Sequence, residues 1–371
     1  MPLYLTDDQA MLRETARELM AGEGNIAAQL RHWRDIGCKD GFGHGLWKQL
    51  AELGFTGLRI PEDQGGLGLG HVEAGIVMEE IGRNLTPSPF LITAIAVVEA
   101  LKGTPHGARW FPGILAGETV AALAVDEGPK HRPEAIAMRA ERSGNGFRLS
   151  GAKQFVVQGA SADLILVAAR AEEGLTLFAV EKEAKGLEVE GVRLADSSIG
   201  ARMLFKDVEV DADAVVGEVG AGEGVLRRVL DAGRAGAASE MVGLGGAAMA
   251  MTVDYLKQRK QFGRLIGEFQ ALQHRAAHLY SELEIARSAA LKAQQLLDEG
   301  SAEAEAMVAV AKAKAGRAST LAVQEGVQMH GGIGMTDEYD IGLYMKRDRV
   351  LNELFGDPNY QTERLARMRG Y

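Results

Sequence analysis

The sequence predicts an α+β protein with an N-terminal helical domain, a central antiparallel β barrel or sandwich, and a C-terminal four-helix bundle. Apolar residues follow helical spacing up to about residue 118, and short β-rich runs follow without helix-length segments between them. Long helical patterns resume near residue 222. Strands without intervening helices favour antiparallel pairing, and consecutive helices with short connections favour a bundle. The predicted domains are residues 1–117, 118–221 and 222–371.

Local signals support each part. Thr6 and Gln9 form a T-x-x-Q capping box, which predicts the start of the first helix. Four helices are predicted in the last domain. The first ends at Gly263, the second stops at Gly300, the third opens at Ser301, and the fourth follows Thr336. In the stretch LFGDPNY, residues 354–360, Gly and Pro predict a turn.

Composition narrows the function classes. The 371 residues carry a net charge of −10, which argues against a general nucleic-acid binder. Cys38 is the single cysteine, so neither an internal disulfide nor a thiolate zinc cluster is expected, and an intracellular setting fits. The N-terminus lacks a basic start followed by an apolar run, and no stretch reaches ~18 apolar residues. We therefore expect a cytoplasmic protein with no signal peptide and no membrane span.

Two motifs have competing interpretations. GLGGAA, residues 243–248, matches a dinucleotide fingerprint but lies inside a predicted helix, so small residues that permit close helix packing explain it better. KQRKQFGR, residues 257–264, clusters four cations at a helix end. Either they form a solvated basic end, or Arg259 holds a phosphate group by a forked contact. Composition alone does not decide between these two.

Glu240 is a carboxylate in a stretch of otherwise small and apolar residues, 233–247, whose only other charge is Arg234. It is either exposed or paired with a neighbouring arginine, or it is buried. Desolvation makes a buried carboxylate a stronger base, as a general base working near neutral pH requires. The sequence favours a buried Glu240. By contrast, we expect His330, which has no nucleophile beside it, to be a packed and hydrogen-bonded histidine.

Together, the order and spacing of several segments resemble the acyl-CoA dehydrogenase family of flavoproteins over essentially the whole chain. The segments are LTDDQAMLRETAREL, LWKQLAELGFTGLRIPEDQGGLGLG, LSGAKQFVVQGASADLILVAA, YLKQRKQFGRLIGEFQALQHRAAHL and QMHGGIGMTDEYDIGLYMKRDR. The resemblance implies the three-part fold predicted above. It also implies FAD bound between the β domain, the bundle and a neighbouring subunit, in a homodimer or homotetramer.

The resemblance assigns cofactor roles to individual residues. Within the bundle, it places Arg259, Phe262 and Gln270 at the FAD of an adjacent subunit. It places the backbone of a Q-x-x-G-G segment, which contains Gln328, Gly331 and Gly332, against the pyrophosphate. In the β domain, it places Phe155 beside the flavin ring, with Val157 replacing a hydroxyl residue. Val125 and Asp126 belong to a flavin loop that departs from the usual T-E-P-x-A-G-S-D pattern. Arg234 matches an arginine near the nucleotide end of CoA.

The family's usual catalytic glutamate is missing. Its Y-E-G-T ending reads Phe355-Gly356-Asp357-Pro358 here, so Gly356 replaces the base and offers only its N–H to a thioester carbonyl. Some members carry the base one residue before the arginine that corresponds to Arg234, and that position is Gly233 here. Glu240 lies two helical turns further on, about 10.5 Å along the same face. Glu240 is the first candidate for the base, and Asp357 is the second.

The resemblance implies FAD-dependent conversion of an acyl-CoA to a 2-enoyl-CoA, with electrons passed to an electron-transfer flavoprotein. The missing glutamate motivates an alternative, a non-catalytic subunit that completes FAD sites in a hetero-oligomer with a paralogue. A flavin monooxygenase or nitroalkane oxidase-like relative is a third possibility. Rapid oxygen consumption without enoyl-CoA formation would identify it.

Overall fold

The computed structural model describes residues 3–371, which divide into two compact units. One unit contains the segment up to Arg31, His71–Thr86 and Arg234–Tyr371. The other contains His32–Gly70 and Pro87–Gly233. The three domain boundaries expected from the sequence remain predictions. Among the residues that the structure describes, no helix combines the length and the apolar character needed to cross a membrane.

The region before the sheet is helical, as predicted, and its described residues form six α-helices. They are α1 (Asp7–Gly22), α2 (His32–Asp35), α3 (His44–Glu52), α4 (His71–Asn84), α5 (Val98–Leu101) and α6 (Pro105–Leu115). The predicted capping box is present, because the Thr6 Oγ1 accepts from the Gln9 N–H at 3.3 Å and the Gln9 Oε1 accepts from the Thr6 N–H at 3.0 Å. Two of the first orphan N–H groups of α1 are thereby satisfied.

The β region forms one eight-stranded sheet in the order β6-β7-β3-β2-β4-β5-β8, with β1 paired to β4. The strands are β1 (Ala121–Ala124), β2 (Arg139–Ser143), β3 (Gly146–Val157), β4 (Leu164–Ala171), β5 (Gly174–Glu181), β6 (Leu187–Arg193), β7 (Ile199–Val210) and β8 (Val215–Val216). Most pairs are antiparallel, as predicted, but β1 and β2 both run parallel to β4. The connection between β1 and β2 therefore returns the chain to the same end of the sheet. This connection contains the predicted flavin loop.

The C-terminal region contains five helices. They are α7 (Gly222–Gln258), α8 (Gln270–Asp298), α9 (Ala304–His330), α10 (Ile341–Glu353) and α11 (Pro358–Met368). The prediction that the first of them reaches Gly263 is wrong, since strands β9 (Lys260–Gln261) and β10 (Arg264–Leu265) form a hairpin there. The third helix begins at Ala304 and not at Ser301. The sequence also missed α11, since it contains few apolar residues to mark a helical stripe.

The GLGGAA stretch lies within α7 and serves close helix packing, as predicted. A Cβ atom at Gly243 would lie 1.8 Å from the carbonyl oxygen of Glu79 in α4. A Cβ atom at Gly82 of α4 would lie 2.0 Å from the carbonyl oxygen of Glu240. Only glycine permits these backbone approaches. The glycines thus fix the contact between α4 and α7 and place Glu240 beside it.

Candidate active site

The turn between α10 and α11, residues 354–358, leaves no room for the family's glutamate. Phe355 and Gly356 both adopt left-handed backbone conformations, with φ of 61° and 97°. A Cβ atom at Gly356 would lie 2.3 Å from the Tyr360 ring atom Cδ1 and 3.0 Å from the Gln361 Nε2. The Tyr360 ring therefore occupies the volume into which any side chain at position 356 would project.

Three buried side chains from three helices, Arg234, Lys312 and Gln361, donate to the carbonyl groups of this turn. The Phe355 carbonyl oxygen accepts from the Arg234 Nε at 3.1 Å and from the Gln361 Nε2 at 2.7 Å. The Lys312 Nζ donates to the Leu351 carbonyl oxygen at 2.9 Å and to the Gly356 carbonyl oxygen at 3.4 Å. The Leu351 carbonyl is one that α10 leaves unpaired at its C-terminal end, and the other two belong to the turn itself.

The N–H of Gly356, which the resemblance assigns to a thioester carbonyl, donates to the Glu353 carbonyl oxygen at 3.2 Å. A bound thioester would have to replace or share this partner. The bond is at the long end of the ordinary range for an N–H···O contact. The role of Gly356 in binding substrate stays a prediction.

Asp357, the second candidate base, caps α11. Its Oδ1 accepts from the N–H groups of Asn359 at 3.0 Å and Tyr360 at 2.9 Å. With Pro358 at the first helical position, this is a regular helix start. Asp357 thus has a structural role that the sequence did not separate from a catalytic one.

We expect Asp357→Asn to keep the cap and Asp357→Ala to lose it. Asparagine accepts the same two hydrogen bonds, so its free energy of unfolding should stay near wild type, whereas alanine should cost about 1 kcal/mol. Urea unfolding measures both. If Asp357 is only a cap, flavin reduction by an acyl-CoA is unchanged in Asp357→Asn. A large loss of rate in this stable variant would instead identify Asp357 as the base.

Glu240 is buried, as expected, with 2% of its surface exposed. Its Oε1 accepts from the Nε of Arg347 at 2.7 Å and from the Nη2 at 2.6 Å. Arg347 lies on α10 and stabilises the ionised carboxylate. The side chain is thus both buried and paired with an arginine, and its role as a base stays a prediction. To accept a proton, Glu240 would have to give up part of this pairing.

Arg234 lies on α7 with 2% of its surface exposed. Besides its bond to Phe355, its guanidinium carbon lies 5.8 Å from the centroid of the Tyr360 ring. This places it within cation–π range of that ring. The structure therefore joins Arg234 to the 354–358 turn, and its contact with CoA stays a prediction.

The predicted flavin loop is tied to strand β3. The Gln154 N–H donates to the Asp126 carbonyl oxygen at 2.7 Å, which brings Asp126 beside Phe155. The Asp126 carboxylate is paired with the His131 Nδ1 at 3.0 Å, and its Oδ1 also accepts from the Arg132 N–H at 3.2 Å. Asp126 and His131 thus brace the loop that departs from the family pattern. His131 was not recognised from the sequence.

A buried lysine anchors the same loop. The Lys153 Nζ donates to the Val125 carbonyl oxygen at 3.0 Å and to the Glu127 Oε1 at 2.8 Å. Burial lowers the pKa of Lys153 despite the pairing with Glu127. Burial raises the pKa of Glu127, but the hydrogen bond and the charge of Lys153 outweigh burial, so that the pKa of Glu127 lies below its usual value. Val125, predicted to contact the flavin, is itself buried and held by this contact.

Phe155 lies at an irregularity of β3 with a left-handed φ of 53°. Such a conformation is strained for a phenylalanine, and strain of this kind concentrates at functional sites. The pairing of β3 with β7 shifts register between Lys153 and Val156, which re-aims the side chains there. The half-buried Phe155 and Val157 therefore stand at the point of β3 that the resemblance places beside the flavin.

The residues of this chain that are predicted to reach the FAD of an adjacent subunit lie on or beside the β9–β10 hairpin. Phe262 occupies its tip with φ of 53° and is 91% exposed. Arg259 precedes the hairpin, Gln270 begins α8, and both are exposed. An exposed phenylalanine on a hairpin tip favours burial against another chain. This exposure fits the expected contact with an adjacent subunit, which stays a prediction.

The Q-x-x-G-G segment lies at the end of α9. Gln328 is exposed, and Gly331 has φ of 64°, a conformation that favours glycine. Cβ atoms at Gly331 and Gly332 would meet nothing within 4 Å, so their backbone is open to a close approach. His330 is buried and hydrogen-bonded as expected, with Nδ1 2.7 Å from the Gly326 carbonyl oxygen and Nε2 3.1 Å from the Tyr339 hydroxyl.

Three family models match this chain. They describe the acyl-CoA dehydrogenase N-terminal domain over residues 6–118, the middle domain over residues 126–208 and the C-terminal domain over residues 220–369. A mitochondrial isovaleryl-CoA dehydrogenase of Solanum tuberosum is 32% identical over 327 residues, covering 83% of this chain and 78% of that protein. The acyl-CoA dehydrogenase FadE12 of Mycobacterium tuberculosis is 33% identical over 324 residues, covering 82% of each.

Solved structures agree with these matches. The butyryl-CoA dehydrogenase of Megasphaera elsdenii is 25% identical, with a TM-score of 0.89 and full coverage of both chains. A chain of the Tcur3481-Tcur3483 steroid ACAD is 28% identical, with a TM-score of 0.90 and 98% coverage of both chains. The predicted helical, β and helical order is thereby confirmed. This chain belongs to the acyl-CoA dehydrogenase family.

Proposed function

We propose that the chain catalyses the α,β-dehydrogenation of an acyl-CoA thioester to a 2-enoyl-CoA, with electrons passed to an electron-transfer flavoprotein. The observation that carries the proposal is the buried carboxylate of Glu240 on α7, the helix on which the resemblance places an alternative base. Relatives named isovaleryl-CoA and 2-methylacyl-CoA dehydrogenase support branched acyl groups among the substrates to be tested.

Members of the family are FAD-dependent. The residues of this chain fit that cofactor, because the open backbone at Gly331 and Gly332 can approach a pyrophosphate and the strained Phe155 can lie against a ring. FAD, when bound, supplies the acceptor for the β-hydride. Two exposed side chains would hold FAD, Gln328 from one subunit and Arg259 from its neighbour. We propose a homodimer or homotetramer for this reason.

The protein's own part in the reaction is to remove the α-proton. In the proposed mechanism, the Glu240 carboxylate takes that proton as the acyl group enters and the bond to Arg347 loosens. The 354–358 turn closes the side of the site where the family's glutamate would stand. Removal of the proton by a positioned carboxylate leaves the electron pair for the new double bond, while the hydride departs from the β-carbon.

A second candidate function is that of a subunit without its own base in a hetero-oligomer with a paralogue. Position 356 is closed to any side chain, residue 233 is glycine, and Glu240 is held by Arg347. The solved relative named with two components, Tcur3481-Tcur3483, supports this assembly as an alternative. In that case the base would come from the other subunit.

An anaerobic titration of the chain, expressed alone, tests the proposal. Straight, branched and ring-bearing acyl-CoAs are added while the flavin absorbance is followed, and we expect one class to bleach it. A yellow protein that no thioester bleaches would contradict self-sufficient catalysis and favour the second candidate. A colourless protein is first mixed with FAD. If colour still fails to develop, the site is incomplete without another subunit.

A further inference from the structure

A buried lysine beneath the 354–358 turn has no role in the mechanism above. Lys312 lies on α9 with 0% of its surface exposed. Its Nζ bridges two carbonyl groups, those of Leu351 in the last turns of α10 and Gly356 in the turn itself. A buried ammonium or amine depends on such contacts. Lys312 therefore links α9 to the segment that replaces the family's catalytic glutamate.

The turn needs such support because its backbone is unfavourable. Phe355 and Gly356 are consecutive left-handed residues, and a phenylalanine adopts this conformation only when the surrounding structure imposes it. Arg234 and Gln361 donate to the Phe355 carbonyl oxygen. The Gly356 carbonyl oxygen accepts from the Gln361 Nε2 at 3.3 Å and from the Lys312 Nζ at 3.4 Å. Because the peptide unit is planar, the direction of the Phe355 carbonyl in turn sets the direction of the Gly356 N–H.

We propose that Lys312 is a positioning residue for the dehydrogenation, which it supports by fixing the left-handed turn at Phe355 and Gly356 beside the reacting acyl group. The inference rests on the proposed function for its kinetic part only. Its structural part, that the turn depends on the Lys312 amine, stands on the contacts alone. The two parts are therefore tested separately.

Charge around Lys312 makes the support depend on pH. Burial first, and then the charge of Arg234, lower the pKa of Lys312 to about 7, while Asp348, Glu353 and Asp357 oppose this shift. A neutral amine still donates two N–H bonds, one to each carbonyl. The unfolded lysine holds its proton up to about pH 10.4. Between these two values the unfolded state binds more protons, so the Lys312 contribution to stability rises with pH and is constant below about 7.

The test compares Lys312→Met with Lys314→Met. Methionine keeps a long unbranched chain and removes the donor, while Lys314 lies on the same helix and pairs with Glu282 of α8. We expect amide hydrogen exchange in residues 351–357 to rise about tenfold in Lys312→Met, as for one lost buried hydrogen bond, and to stay unchanged in Lys314→Met. The rise of thermal stability with pH above neutrality should also become smaller in Lys312→Met, while the part that the lowered pKa of Lys153 supplies remains.

The kinetic readout separates positioning from folding. In Lys312→Met the rate of flavin reduction should fall about tenfold while the dissociation constant for the acyl-CoA changes by less than about threefold. Lys312→Gln, which keeps a neutral donor, should recover much of the rate without the pH dependence, and it replaces the methionine variant if that one does not fold. If amide exchange in residues 351–357 of both Lys312 variants equals that of the wild type, the turn does not depend on the Lys312 amine. This result would overturn the structural part of the proposal, whether or not any acyl-CoA reduces the flavin. Increased exchange with an unchanged reduction rate would overturn the kinetic part.

Discussion

Replacing Glu240 by glutamine is expected to slow reduction of the flavin by an acyl-CoA about 10²–10⁴-fold, the usual contribution of a positioned general base. Glutamine has the same shape and keeps an oxygen that can accept from Arg347, so the fold should survive with a modest loss of stability. Stopped-flow absorbance under anaerobic conditions measures the rate. Thermal unfolding of the same sample shows that the variant is folded.

Glu282→Gln is the matched control for the Glu240 variant. Glu282 on α8 is also paired, with Lys314, but it is partly exposed. We expect its flavin reduction to match wild type. A wild-type rate in Glu240→Gln would exclude Glu240 as the base. That result would favour a base from a partner subunit, with Asp357 then decided by the asparagine variant described above.

Restoring the family's glutamate at position 356 is expected to destabilise the protein and not to restore a base. The new Cβ would lie 2.3 Å from the Tyr360 ring, and φ at this position is 97°. Overpacking and left-handed strain each cost about 1–3 kcal/mol, so Gly356→Glu should lose about 2–6 kcal/mol of unfolding free energy. Urea unfolding measures this loss, and flavin reduction should not exceed the wild-type rate.

Two further variants separate the clash from the strain. Gly300 also has a positive φ, 61°, but a Cβ there would meet nothing within 4 Å. Gly300→Ala therefore reports strain alone, and Gly356→Ala should cost more by about 1–3 kcal/mol. A Tyr360→Ala background should remove most of that difference in a double-mutant cycle. Equal losses for the two alanine variants, or no coupling with Tyr360, would show that the ring does not close position 356.

Features that depend on neighbouring residues were predictable from the sequence. The capping box of Thr6 and Gln9 and the packing role of Gly243 follow from short-range patterns, and the structure confirms both. Predictions failed where tertiary pairing overrides local pattern. The end of α7 is set by the β9–β10 hairpin, and α11 has too few apolar residues to be recognised. The parallel pairing of β1 with β4 requires knowing which strands meet.

The sequence by itself determined the fold class, the family resemblance and the replacement of the usual glutamate by Gly356. All of these are properties of residue type and order. Only the tertiary structure decided that Glu240 is bound to Arg347, 107 residues away, and that Arg234 holds the Phe355 carbonyl 121 residues away. It also decided that Tyr360 fills the space beside Gly356 and that Lys312 lies under the turn. The physical reason is that burial and hydrogen bonding join groups whose separation along the chain gives no sign of their contact.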